Sequence, residues 1–253
     1  MRVSVSIRHL LGPLVLGAVI VCAGGTTCAD GAKPEVKSTS VMGLRVGRTT
    51  MMTVYGENLA PKELAVNKPP VTARLLGSRP TDGKLKAKGS RQVTVEVTVP
   101  ATCPLDTFDL TIVQVDGSKV TIPLPIVMDA AAELTVKKPA GTFETAMQVP
   151  GTSVAIVGVL DNDTPDVFRL EAKTGEVWEI SLLTGRAGSI LDSVLRVRDS
   201  KHLSYALSVG EKKKDRHITF RAPADGAYYV EITEAEAKGG AGYDYRLTIV
   251  RKH

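Results

Sequence analysis

Three carboxylates at short spacing are the first residues in this chain that could do chemistry. Asp161-Asn162-Asp163-Thr164-Pro165-Asp166 sets Asp161, Asp163 and Asp166 within one turn-like run, with Asp192 and Asp199 further on. Hard cations such as calcium take oxygens from carboxylates and carbonyls, and a run of this kind offers them. It lacks the spacing and closing Glu of an EF-hand loop. Asp161, Asp163 and Asp166 are therefore candidate calcium ligands, against the favoured alternative that they are turn residues accepting backbone hydrogen bonds. No cofactor is expected; calcium is allowed but not favoured.

Catalysis finds less support. His9, His202, His217 and His253 form no His-x-x-x-His pair. Ser189 and Ser193 sit in no Gly-x-Ser-x-Gly elbow, and no phosphate loop or dinucleotide fingerprint is present. The chain reads as a non-enzyme, with a hydrolase triad that meets only in space as the remaining route to activity. Cys103 reads as a small buried apolar residue rather than a nucleophile.

Binding has two candidates. Tyr229 falls on the outward face of its strand with Glu231. The loop from Arg79 to Arg91 carries Arg79, Lys84, Lys86, Lys88 and Arg91 against Asp82 alone. It could meet an anionic glycan or an acidic protein patch; a solvated hairpin tip is the plainer alternative.

Positioning these residues falls to strands. Gln92-Val-Thr-Val-Glu-Val-Thr-Val99 puts Val93, Val95, Val97 and Val99 on one face and Thr94, Glu96 and Thr98 on the other. Phe108–Ile112 and Val120–Ile126 repeat the pattern, joined by an Asp116-Gly117 hairpin signal. Pro123 and Pro125 mark the last of these as an edge or exit strand. Met128 to Gln148 breaks the periodicity and reads as a short joint. Alternation resumes at Ser153, sending Phe168, Trp178, Ile180, Leu195, Tyr228, Tyr243 and Tyr245 inward and Glu179, Arg196, Arg198, Arg221 and Arg246 outward. The expected fold is all-β: two tandem antiparallel β-sandwich domains, immunoglobulin-like over 33–128 and jelly-roll-like over 131–253.

Residues 1–29 read as a signal peptide. Arg2 and Arg8 supply the positive end, and Leu10 to Ala23 is apolar but too short to span a membrane well. Cleavage is expected after Ala29, or alternatively after Ala23. A lipid anchor fits poorly, because neither Val21-Cys22 nor Thr27-Cys28 places a suitably small residue before its Cys. No second apolar run of membrane length follows. The mature chain is expected to be exported, periplasmic or extracellular, without a membrane span. Loss of Arg2 and Arg8 leaves 30 basic against 27 acidic side chains, too balanced to argue for nucleic acid.

Two resemblances refine the architecture. Gly47 to Leu59, ending in Tyr55-Gly-Glu-Asn-Leu59, with the later Val93–Ile112 pair, resembles the immunoglobulin-like IPT/TIG family over roughly residues 36–127. Asp166-Val-Phe-Arg-Leu, Gly175-Glu-Val-Trp-Glu-Ile, Gly188-Ser-Ile-Leu-Asp-Ser-Val-Leu195 and Phe220-Arg-Ala-Pro-Ala-Asp-Gly-Ala-Tyr-Tyr-Val230 resemble the bacterial peptidase pre-C-terminal (PPC) domain. The second resemblance implies a folding and binding module of secreted proteins, in which some members use calcium. Only Asp166 matches that family's acidic pair before the aromatic strand, and Ser204–Ser208 stands where a second acidic pair is common. The expected function is an exported non-catalytic recognition or adhesion module for a protein or glycan of the cell envelope or extracellular matrix. The alternatives are a purely structural envelope scaffold or, less favoured, a hydrolase or its accessory subunit.

Overall fold

The computed structural model describes residues 32–211 and 214–252, without the side chain of Lys84. The expected signal peptide, 1–29, lies outside the described residues, as do Lys212, Lys213 and His253.

The alternating valines of β6 (Arg91–Val99) are almost wholly buried. They form the floor of a sheet in the order β1 (Glu35–Thr39), β3 (Arg48–Glu57), β6, β5 (Thr72–Pro80). Facing it is a sheet in the order β2 (Leu44–Arg45), β8 (Lys119–Val127), β7 (Thr107–Gln114), β4 (Pro61–Val66). With β2 counted as a short extra strand, this is the ABED and CFG arrangement of an immunoglobulin constant-type sandwich. The strand β2 meets β8 only at Ile126 and Val127. The stretch carrying Pro123 and Pro125 is therefore paired on one side, by β7, where their missing N–H groups cost no ladder bond. Gly56 is required by close approach: a Cβ there would lie 2.0 Å from the carbonyl oxygen of Glu35 on β1.

The second sandwich has five strands per sheet. One sheet runs β10 (Met147–Gln148), β12 (Asp166–Ala172), β17 (Gly226–Glu234), β14 (Ser193–Asp199), β15 (Ser204–Ser208). The other runs β16 (Arg216–Arg221), β13 (Val177–Leu183), β18 (Asp244–Lys252), β11 (Ser153–Val159), β9 (Ala132–Thr135). Phe168, Trp178, Ile180, Leu195, Tyr245 and Leu247 meet between them. Each such side chain contributes roughly 1.5–3 kcal/mol of apolar burial.

Two expectations need correction. The joint is not irregular throughout: β9 pairs parallel to β11, and β10 parallel to β12. These stretches, four and two residues long, are too short for alternation to be read; neighbouring edges recruit them by backbone pairing, and Leu134 and Met147 pack against the core. Arg246 is not on a solvated face. It is 2% exposed, because the outer face of β13 and β18 lies against the first sandwich. Both sandwiches fall within one compact unit, Lys33–His253. Leu183, Arg246 and Thr248 share a cavity of about 100 Å³ with Leu105, Ile126 and Val127. Arg186 reaches across, its Nη1 donating to the carbonyls of Leu105 (3.3 Å), Asp106 (3.4 Å) and Ile126 (3.5 Å). Arg246 donates to Glu133 Oε2 (3.1 Å) and Thr248 Oγ1 (2.7 Å), and burial lowers its pKa. Among the described residues no helix is long and apolar enough to cross a membrane.

Candidate functional site

The acidic run divides on folding. Asp163 has a left-handed backbone (φ 53°) and is exposed, with its N–H donating to Ala237 O at 2.9 Å; it is a turn residue. Asp166 is not. It opens β12 on the inward face and is fully buried. Its Oδ2 accepts a 2.6 Å bond from Tyr245 Oη, and its Oδ1 pairs with the Lys138 ammonium, which also lies 3.3 Å from Asp161 Oδ2. The ring of Tyr245 fits because its cross-strand neighbour is Gly158. A Cβ there would sit 2.5 Å from Tyr245 Oη and 2.9 Å from Val136 Cγ1. Burial, and then the Asp166 charge, push the Tyr245 phenol pKa up. Asp161 and Asp166 thus flank an ammonium. Among the described residues no group of three His, Cys, Asp or Glu is placed to hold a metal ion.

Tyr229 requires a correction. It lies on the outward face, yet it is 9% exposed because Phe143 stacks on it, ring centres 4.0 Å apart, and His202 stacks on Phe143 at 4.3 Å. The covering ring comes from a segment 86 residues earlier in the chain. The basic residues are spread over unlike environments. Arg79 is exposed near the end of β5, and Lys86 is exposed in a 3-10 turn, Gly83–Lys88. Lys88 lies over Tyr55, its Nζ 5.2 Å from the ring centre. Arg91 is half-buried in β6 and donates to Leu59 O (3.3 Å) and Ser78 Oγ (3.2 Å), so it serves the fold. The Lys84 side chain is outside the described residues.

A concavity lies beside the Asp161–Lys138–Asp166 cluster. A groove of about 540 Å³ runs between β9 and the Thr39–Met42 turn of the first sandwich. Its walls are aliphatic, from Val41, Met42, Val136, Val157 and Val159, and Glu133, Lys138, Asp161 and Asp244 supply the charge. Sequence reasoning found Asp161 and missed Lys138, Glu133 and Asp244. These three come from the joint and the last strand, and no local spacing links them to Val41.

No protein-family model matches the chain, and no curated protein matches it. Among solved structures it is similar to the pre-peptidase C-terminal domain of a collagenase from Bacillus anthracis, at 18% identity over 41% of this chain and 92% of that one, TM-score 0.33. It is similar to a periplasmic inhibitor of g-type lysozyme from Aeromonas hydrophila, at 14% identity over 48% and 100%, TM-score 0.34. It is also similar to carbohydrate-binding modules of the β-sandwich superfamily, at 8% identity over 89% and 100%, TM-score 0.26.

Proposed function

We propose that this chain is an exported, non-catalytic recognition module whose ligand, a protein or glycan outside the cytoplasm, sits in the groove beside β9. The groove itself carries the reading. It is a concavity of ligand size between the two sandwiches, with apolar walls and a few charged groups, which is the usual form of a binding site. The nearest reactive groups argue for holding rather than transforming a ligand. Asp166 is enclosed, with one oxygen on Tyr245 and the other on Lys138, so it is not free to act as base or nucleophile. Export rests on the signal-like character of residues 1–29.

The test is a binding screen on the full chain against oligosaccharide and peptide libraries, repeated on Val136→Asp. Ligands that bind the parent and lose affinity for the variant support the groove. Ligands indifferent to Val136→Asp place the site elsewhere, with the exposed Arg79 and Lys86 as the next surface to alter.

A further inference from the structure

We infer that the occupant of this groove is an extended polypeptide segment carrying a basic side chain, which adds as a strand to the free edge of β9. The inference rests on the groove being the binding site and names what enters it.

Three observations converge. First, β9 ends its sheet: it pairs with β11 on one side and, among the described residues, with no strand on the other. An end strand presents N–H and C=O groups that template a further strand. Its four residues, about 13 Å long, would hold a short ladder. Several other end strands are guarded, and β10, which is also uncharged, is only two residues long. Arg74, Arg79 and Pro80 lie on β5, Lys62 and Glu63 on β4, and Arg216, His217 and Arg221 on β16, while β15 is kinked by a bulge. The only charged residue of β9 is Glu133, and that carboxylate is turned onto Arg246. The groove takes in Glu133 and Thr135 of β9 together with Val157 and Val159 of its neighbour β11.

Second, the charge at one end of the groove is unbalanced. Lys138 faces two carboxylates, Asp161 and Asp166. Asp244, across from Val159, has no ion pair among the described residues. A lysine or arginine of the incoming strand would meet Asp161 and Asp244 there. Third, no aromatic residue among the described residues lines the groove. Sugars present their apolar faces to aromatic rings, whereas aliphatic walls suit alternating valine-like side chains.

The experiment titrates the isotopically labelled full chain with acetylated, amidated hexapeptides of alternating Thr and Val that end in Lys, Gln or Glu. The Lys peptide should shift the amides of Glu133, Thr135, Val136 and Val159, and should bind about tenfold tighter than the Glu peptide at low salt. Asp244→Asn and, separately, Asp161→Asn should weaken the Lys peptide and leave the Gln peptide unchanged. Equal binding of the three peptides overturns the charge argument. Oligosaccharides that shift these amides while no peptide does overturn the strand and leave the groove reading standing. If no peptide or oligosaccharide moves them, both readings fall.

Discussion

The phenol of Tyr245 donates to the fully buried carboxylate of Asp166 at 2.6 Å, tying β18 of one sheet to β12 of the other. The same carboxylate holds Lys138, so a segment that follows β9 is anchored to the core by a side chain. Tyr245→Phe would leave one oxygen of a buried charge without its donor, which costs about 1–3 kcal/mol. Urea denaturation should show the midpoint falling with the slope unchanged. An unaltered midpoint would mean the bond contributes nothing net.

Trp178 is 2% exposed and is the only tryptophan. Trp178→Ala should destabilise by about 3–5 kcal/mol, as for a large aromatic removed from a core. Native emission should be blue-shifted relative to free indole in water. Emission that matches free indole would sink the burial.

Glu57 lies under Lys37, 2.8 Å from its ammonium, and also accepts from the N–H and hydroxyl of Ser90. The Lys37 bond first, then Ser90, lower its pKa from 4.5 to about 2. A depressed folded-state pKa gives stability that is present above the ordinary value and lost as pH falls through the folded one. Melting temperature should therefore decline between pH 4.5 and 2, and Glu57→Gln should remove part of that decline. Superimposable pH profiles would contradict the assignment.

Calcium should leave the melting temperature unchanged relative to a chelator, because Asp166 is enclosed by Tyr245 and Lys138 and no group of three carboxylates, histidines or cysteines is gathered among the described residues. A cation bound only to the native state would add about 2.7 kcal/mol at a hundred times its dissociation constant, a shift of several degrees. A calcium-dependent rise that disappears in Asp161→Asn would overturn this.

Fragments 33–128 and 131–253 should each fold alone, since each retains its own buried cluster. In the second fragment, amides of β13 and β18 near Leu183 and Arg246 should move, because the first sandwich covers that face. Random-coil dispersion from either fragment would show that one core depends on the other.

Local alternation was enough to determine the longer strands it ran through, their inward faces and the all-β class, but not the short β9 and β10. Val93 to Val99, Trp178 and Phe168 each declare a face by the side on which their neighbours are polar, and a two-residue period needs no distant information. Turn residues such as Asp116-Gly117 and Asp163 were equally local. Tertiary structure alone decided what lies on the other face. Arg246 and Tyr229 alternate outward as expected, yet one is covered by the first sandwich and the other by Phe143. Asp166 was legible as an acid but not as a buried one, because its partners Lys138 and Tyr245 lie 28 and 79 residues away. The groove follows the same rule. Val41, Glu133 and Asp244 share it only after two sandwiches have closed on each other, and the periodicity of a strand carries no record of a surface that arrives from another part of the chain.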